Sequence, residues 1–361
     1  MKIDLERFGL SPRFRQEATL YEGLFIARVC GQHRDMYKVV GEEGEFSAAV
    51  AGKLAYNAAD SADFPAVGDW VMTDRPDDRA GKAIIHQILR RKSLFARKAA
   101  GTGHETQIVA ANVDVVFICM SLNADFNLRR LERYLTVALD SMATPVVVLT
   151  KADLCGELDA RLAEVATVSA GSDVVVCSGR TDNGYQAILP YIAPGRTIAF
   201  IGSSGVGKST LINRLLGREL LVTGTIREAD GRGRHITTSR QLLLLPDGGI
   251  VIDTPGMREL QLESGDLARA FGDIEALAAK CRFKDCSHSQ EPGCEVRRAI
   301  EAGVLSAERL ESFNKLGKEM SYEGLNSRQL EQEKIRRMFG GLGEMKQVMR
   351  QAKHKNKRSF D

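Results

Sequence analysis

Gly202-Ser203-Ser204-Gly205-Val206-Gly207-Lys208-Ser209 fits the pattern G-x-x-x-x-G-K-[ST], and the residues on either side give it the right setting. The apolar run 197–201 reads as a buried strand leading in, and residues 209–216 read as a helix leading out. Glycines let the backbone curl until successive N–H groups between Gly202 and Thr210 face one anion, and the helix N-terminus adds partial positive charge. Lys208 is placed to reach the β- and γ-phosphates of a nucleoside triphosphate, and the Ser209 hydroxyl to meet Mg²⁺. A phosphate loop between a parallel strand and a helix fixes an α/β sheet in the middle of the chain.

Downstream, Asp253-Thr254-Pro255-Gly256 follows the apolar run 249–252. An acid at the end of a neighbouring strand can hold Mg²⁺ through water, and the Gly256 N–H can meet the γ-phosphate, which makes the loop after it a switch. Upstream, Thr150-Lys151-Ala152-Asp153 follows the run 145–149. A carboxylate at Asp153 accepts two hydrogen bonds from the N1–H and exocyclic amine of guanine, a donor pair that adenine lacks, so the acid selects the base. The Lys151 stem is placed to lie along the ring. Thr150 stands where such loops usually carry Asn, which predicts the loss of some bracing hydrogen bonds. Cys177-Ser178-Gly179 sits where a second base-contacting loop belongs.

The order of these motifs is unusual: base loop, second base loop, phosphate loop, then the acid. A Ras-like sheet has its termini close together, so its chain can be cut elsewhere without disturbing the strand ends that form the site. Residues 99–262 therefore read as a circularly permuted P-loop GTPase domain. The switch after Gly256 then leads straight into the C-terminal part, so loss of the γ-phosphate can move that part directly.

At 361 residues the chain is too long for one ordinary domain, and 43% apolar with 27% charged residues is the mix of a soluble protein with real cores. No apolar run approaches the ~20 residues that span a bilayer. The start MKIDLERFGL lacks the apolar centre of a signal peptide, so no membrane association and a cytoplasmic location are expected. After an N-terminal arm (1–22), short apolar runs at 24–29, 36–40, 46–50, 69–73 and 83–88 predict five strands, and an OB-fold barrel over 23–98. Arg90, Arg91, Lys92, Arg97 and Lys98, with Phe95 among them, read either as a solvated linker or as an RNA-facing patch. Within the sheet, runs at 113–120, 145–149, 173–176 and 197–201 predict parallel strands with helices between, one of them marked by Leu128, Leu131, Leu135, Leu139 and Met142.

From residue 263 to 345 the chain reads as a helical zinc-binding domain, followed by a basic tail (346–361). Cys281-x4-Cys286-x-His288-x5-Cys294 offers three thiolates and one imidazole, a closed set suited to one structural Zn²⁺ and leaving no position for a reactive water. Cys30, Cys119, Cys155 and Cys177 are scattered and read as inert fillers. Net charge is only +3, so any nucleic-acid contact rests on local patches, and the tail reads as a phosphate-binding arm. No dimer seam is visible, and a monomer is expected.

Together these motifs resemble, across nearly the whole chain, the circularly permuted GTPases of bacterial small-subunit ribosome maturation, the ribosome small-subunit-dependent GTPase A (RsgA) family. The resemblance implies a GTPase stimulated by the 30S subunit that acts late in its assembly, with the barrel and zinc domain against 16S rRNA. It carries base contacts to Thr150, Lys151, Ala152 and Asp153, beside Ser178. Phosphate contacts fall on Gly202, Ser203, Ser204, Gly205, Val206, Gly207, Lys208, Ser209 and Thr210, with Asp253 and Gly256. The zinc ligands are Cys281, Cys286, His288 and Cys294. Gly231-Arg232-Gly233-Arg234-His235-Ile236-Thr237-Thr238 looks like the family's Gly-x-His-Thr-Thr-Thr segment with Ile236 in place of one Thr. Thr237, ahead of Thr238, is then the expected partner of Ser209 on Mg²⁺. Met257 stands where many GTPases place a water-orienting Gln, so free turnover is expected to be slow, and His235 is the candidate to act on the water. An alternative expectation is an RNA-binding assembly factor in which nucleotide tunes affinity and hydrolysis is incidental. An ATPase is disfavoured by Asp153.

Overall fold

Alternating apolar residues close the first part of the chain into a barrel. The computed structural model describes residues 2–33, 36–59, 61–98, 106–181, 184–221, 240–253 and 266–321. Helix α1 (Pro12–Ala18) precedes strands β1 (Phe25–His33), β2 (Met36–Gly41) and β3 (Gly44–Val50), and helix α2 (Gly52–Asn57) precedes β4 (Trp70–Thr73) and β5 (Ala83–Ile88). The strands pair in the order β1-β2-β3-β5-β4, and β4 returns to β1, so no edge is left open. Ala27, Val29, Val39, Phe46, Val71 and Ile85 fill the interior. Phe14 of α1 packs on Trp70 with ring centroids 6.0 Å apart and, with Leu5, Leu10 and Met72, covers the barrel outside that interior. All five expected strands are present.

The basic run after the barrel is tied into the fold at Arg91, Lys92 and Phe95 rather than left as a solvated linker. Arg91 forks onto the buried Asp69 at 2.8 Å and donates to the carbonyls of Ala62 and Phe64, both at 2.7 Å. Lys92 meets Asp114 at 2.5 Å. A hairpin of β6 (Leu94–Lys98) and β7 (Thr106–Ala111) follows, and Phe95, 1% exposed, enters the next core. These side chains join barrel to sheet.

The second part is a sheet covered on both faces, and its strands are almost wholly apolar for that reason. β8 (Val115–Ser121) leads to α3 (Leu128–Asp140) and β9 (Thr144–Thr150). α4 (Leu158–Ala166), β10 (Asp173–Val176) and β11 (Thr197–Ile201) follow, then α5 (Lys208–Leu216), β12 (Arg240–Leu244) and β13 (Ile250–Asp253). The order across the sheet is β10-β9-β8-β11-β13-β12, with only β12 antiparallel. The strand feeding the phosphate loop, β11, lies inside the sheet and comes fourth of its six strands in chain order rather than first, in keeping with a circular permutation. Val116, Ile118, Val147, Leu149 and Ala199 face one side, under Leu131 and Leu135 of α3. Val115, Phe117, Val146, Val148 and Ile198 face the other, under Leu211 and Ile212 of α5. Met142 falls outside the α3 repeat: it follows the helix end with φ +68° and is 73% exposed. Between β10 and β11 the expected helix is a 3₁₀ turn, Gln186–Tyr191, because Pro190 inside it removes a backbone donor.

Helices α6 (Leu267–Ala270), α7 (Gly272–Ala278), α8 (Glu295–Glu301) and α9 (Ala307–Ser321) complete the described chain. Phe271, Ile274, Val296 and Leu316 join the same apolar core as α3. The barrel is continuous with the sheet through β1 and β12, where Gly31 faces Gln241. Among the described residues no helix is long and apolar enough to cross a membrane.

Candidate nucleotide site and metal centre

β11 ends at Ile201 and the backbone turns at once. At Gly202 (φ +139°) a Cβ would lie 2.3 Å from the Cys119 carbonyl oxygen, so only glycine lets the loop leave the sheet this close to β8. Gly205 and Gly207 also take positive φ, +76° and +106°, and Gly207 is the residue before α5 begins at Lys208. Lys208 is 7% exposed, and its Nζ donates to the carbonyls of Gly202 and Ser203, both at 2.6 Å. The ammonium is thereby arched back over its own loop in a partly desolvated place, where attraction for an anion is strong.

The base loops stand on the ends of β9 and β10, two and three strands away from β11 in the sheet. Thr150 is buried; its Oγ1 lies 2.5 Å from the Val206 carbonyl of the phosphate loop and 3.3 Å from that of Met120. Its one proton serves the nearer acceptor, so the hydroxyl itself keeps one brace from β9 to the phosphate loop. Lys151 takes a left-handed conformation (φ +56°) that sends residues 152–154 into a single 3₁₀ turn. The Ser178 hydroxyl donates to Asp153 Oδ1 at 2.7 Å, and the Ala152 N–H donates to the Cys177 carbonyl at 3.2 Å. Asp153 is exposed, leaving its carboxylate able to accept from a ligand. A Cβ on Gly179 would meet the Thr210 methyl at 2.8 Å, so the second base loop rests on the first turn of α5. Segments around residues 150, 178 and 202 thus meet at the C-terminal edge of the sheet, where ligands bind in open α/β folds.

Asp253 closes β13, which pairs in parallel with β11, and so its half-buried carboxyl emerges beside the phosphate loop. Gly256, Thr237, His235 and the tail 346–361 lie outside the described residues. Two side chains that sequence reading passed over touch the loop. Arg130 donates to the Ser203 hydroxyl at 2.6 Å and to Asp125 at 2.8 Å, and Tyr134, one turn along α3, hydrogen-bonds Ser203 as well. Their i, i+4 spacing is visible in the sequence, but nothing there names Ser203 as the partner.

Cys281 Sγ lies 3.9 Å from Cys294 Sγ, and His288 Nδ1 lies 3.7 Å and 3.5 Å from these two sulfurs. All four ligand atoms, Cys286 included, fall within 4.8 Å of one another. A tetrahedral Zn²⁺ with bonds of about 2.3 Å to sulfur and about 2.0 Å to nitrogen has edges of roughly 3.8 Å and 3.5 Å, so the cluster fits that ion. The ion would clamp the chain after α7 to the start of α8, where Cys294 also accepts the Arg297 N–H. Between the ligands, Glu291 accepts from the N–H groups of Ser287, Ser289 and Gln290 and from the Ser287 hydroxyl, and these donors pull its carboxyl down to about 2. By contrast, burial pushes the thiols of Cys30 and Cys119 up to about 12 and that of Cys177 to about 11. These three stay protonated at neutral pH, in keeping with an inert role.

The family model described as RsgA GTPase matches residues 88–263. The chain is similar to the small ribosomal subunit biogenesis GTPase RsgA 2 of Lactiplantibacillus plantarum, at 56% identity over 96% of this chain and 98% of that one. It is also similar to RsgA 2 of Vibrio vulnificus, at 46% identity over 88% of each chain. Among solved structures it resembles YjeQ from Thermotoga maritima (TM-score 0.60, 28% identity, 82% of this chain and 98% of that one). Its fold is also that of YloQ, a circularly permuted GTPase (TM-score 0.58, 22% identity, 83% and 96%).

Proposed function

The chain belongs to the RsgA GTPase family and is a P-loop GTP hydrolase, and we propose that it acts late in maturation of the small ribosomal subunit, with GTP hydrolysis as its timing step. The observation that carries this reading is the convergence of Asp153, Ser178 and the Gly202–Thr210 loop at one sheet edge, with a zinc-suited unit packed against the same sheet.

In this reading Asp153 accepts from the guanine edge while Ser178 holds its other flank, and Lys151 lies along the ring. The loop N–H groups and Lys208 hold the phosphates. Ser209, Thr237 and Asp253 would hold Mg²⁺, which would supply neutralising charge to the transferred phosphoryl group. Gly256 meets the γ-phosphate. His235 orients the attacking water once the subunit has set it in place, since Met257 has no group to do so. The barrel (23–98) and the zinc unit (263–345) flank the GTPase part (99–262) and contact 16S rRNA, with the tail as a phosphate-binding arm. The protein works as a cytoplasmic monomer.

GTP turnover of the full chain, measured alone and with purified 30S or 50S subunits, tests the proposal. We expect 30S to raise turnover by about 10²-fold or more, 50S to leave it unchanged, and His235→Ala to remove most of the stimulation. Equal rates with 30S and 50S would refute the ribosomal assignment.

A further inference from the structure

Helix α3 touches two places that the reaction as described does not connect. At its N-terminal end Asn127 accepts the Arg130 N–H at 3.0 Å, which starts the helix cleanly. The Arg130 guanidinium then donates from one nitrogen to Asp125 and to the Ser203 hydroxyl, so the acid aims it at the phosphate loop. Ser203 is also the residue whose carbonyl receives Lys208. Moving Arg130 therefore moves the anchor of the lysine that meets the phosphates.

Two and three residues further on, the same helix holds the C-terminal unit. Glu132, 1% exposed, accepts from Arg309 at 2.8 Å. Arg309 lies over the Phe271 ring at 4.7 Å and forks onto Asp273 at 2.6 and 2.7 Å. Arg133 forks onto Glu319 of α9 at 2.6 and 2.9 Å, a bidentate geometry that fixes orientation as well as distance. One rigid helical turn thus bears contacts to both the phosphate loop and α9, within about 5 Å of rise along its axis.

We propose that α3 is a strap for the nucleotide reaction: Arg130 is a positioning residue that sets the phosphate loop through Ser203, and the C-terminal helices set Arg130 through Glu132–Arg309 and Arg133–Glu319. The inference rests on the nucleotide-binding part of the reading above and is independent of the ribosomal partner. It gives the C-terminal helices a hold on the site that does not pass through the segment after Asp253.

The test is GDP affinity of the full chain, measured by fluorescence titration without ribosomes, for the wild type, Arg130→Gln, Glu319→Gln and the double variant. Arg130→Gln should weaken GDP about tenfold, the scale of one charged hydrogen bond, while the preference for guanine over adenine persists. Glu319→Gln, remote from the nucleotide, should weaken GDP about threefold. The double variant should stay within about twofold of Arg130→Gln alone, because Glu319 acts through Arg130. A purely structural role for either residue would instead give additive losses. Arg133 and Glu319 are partly exposed, 28% and 34%, so the pair can be broken without a buried charge being stranded. Unchanged GDP affinity in Glu319→Gln, or additive effects in the double variant, would overturn the strap. A wild type that fails to bind GDP would instead overturn the nucleotide reading itself.

Discussion

At Thr150 a hydroxyl occupies a place where an amide was expected, and it still ties the base loop to the phosphate loop through the Val206 carbonyl. Thr150→Ala removes the donor and strands a buried acceptor, which costs about 1–2 kcal/mol. GDP affinity should fall roughly tenfold by titration, while Thr150→Ser should stay near the wild type; an unchanged Thr150→Ala would show that the brace is idle. This detail was illegible from sequence because a missing Asn says what is absent, not what replaces it. The glycine-rich turn into α5 and the gathering of Cys281, Cys286, His288 and Cys294 were legible because phosphate and zinc chemistry dictate residue type and spacing together. Arg130 was not, since its partner lies 73 residues away and only the folded sheet brings Ser203 to it.

Among the elements, the loop joining α7 to α8 owes its shape to Glu291 as well as to its Cys/His cluster. Its folded carboxyl titrates near 2, below the ordinary 4.5, because four donors favour the charged form. The stabilisation is therefore complete above pH 4.5 and lost as pH falls from there towards 2. Glu291→Gln turns an amide N–H towards donors, so chelator extraction of zinc at neutral pH should be several-fold faster than in the wild type. The difference should hold constant between about pH 6 and pH 8, where Glu291 stays charged; equal extraction rates would exclude the role. Strands were well read at this scale because buried runs of Val and Ile leave little choice. The β6–β7 hairpin was not, since Arg91, Lys92 and Phe95 look like a linker until Asp69, Asp114 and the α3 core supply their partners.

For the molecule as a whole, the barrel is keyed to the root of the phosphate-loop strand by one buried cation. Arg28, 1% exposed, donates to Thr197 Oγ1 at 2.8 Å, to Gly68 O at 3.2 Å and to Phe8 O, and lies over the Trp70 ring. Desolvation lowers its pKa to about 10, which still leaves it charged at neutral pH. Arg28→Met keeps much of the volume and strands those acceptors, so denaturant unfolding should show a loss on the order of 3 kcal/mol. A loss below about 1 kcal/mol would mean the junction does not depend on this residue. Three-part architecture and permutation were readable from motif order, whereas this junction was not, because Arg28 and Thr197 are 169 residues apart in strands that show only apolar periodicity. The same long-range assembly builds the proposed base site, in which Asp153 can read guanine only because segments near residues 150, 178 and 202 fold onto one sheet edge. Competition of GTP, ATP and XTP for the full chain and for Asp153→Asn measures this directly. Xanthine carries a carbonyl where guanine carries its amine, so an amide at 153 suits it. The wild type should prefer GTP, and Asp153→Asn should lose about 10²-fold in GTP affinity and come to prefer XTP. ATP competing as well as GTP in the wild type, or guanine preference surviving Asp153→Asn, would contradict the account.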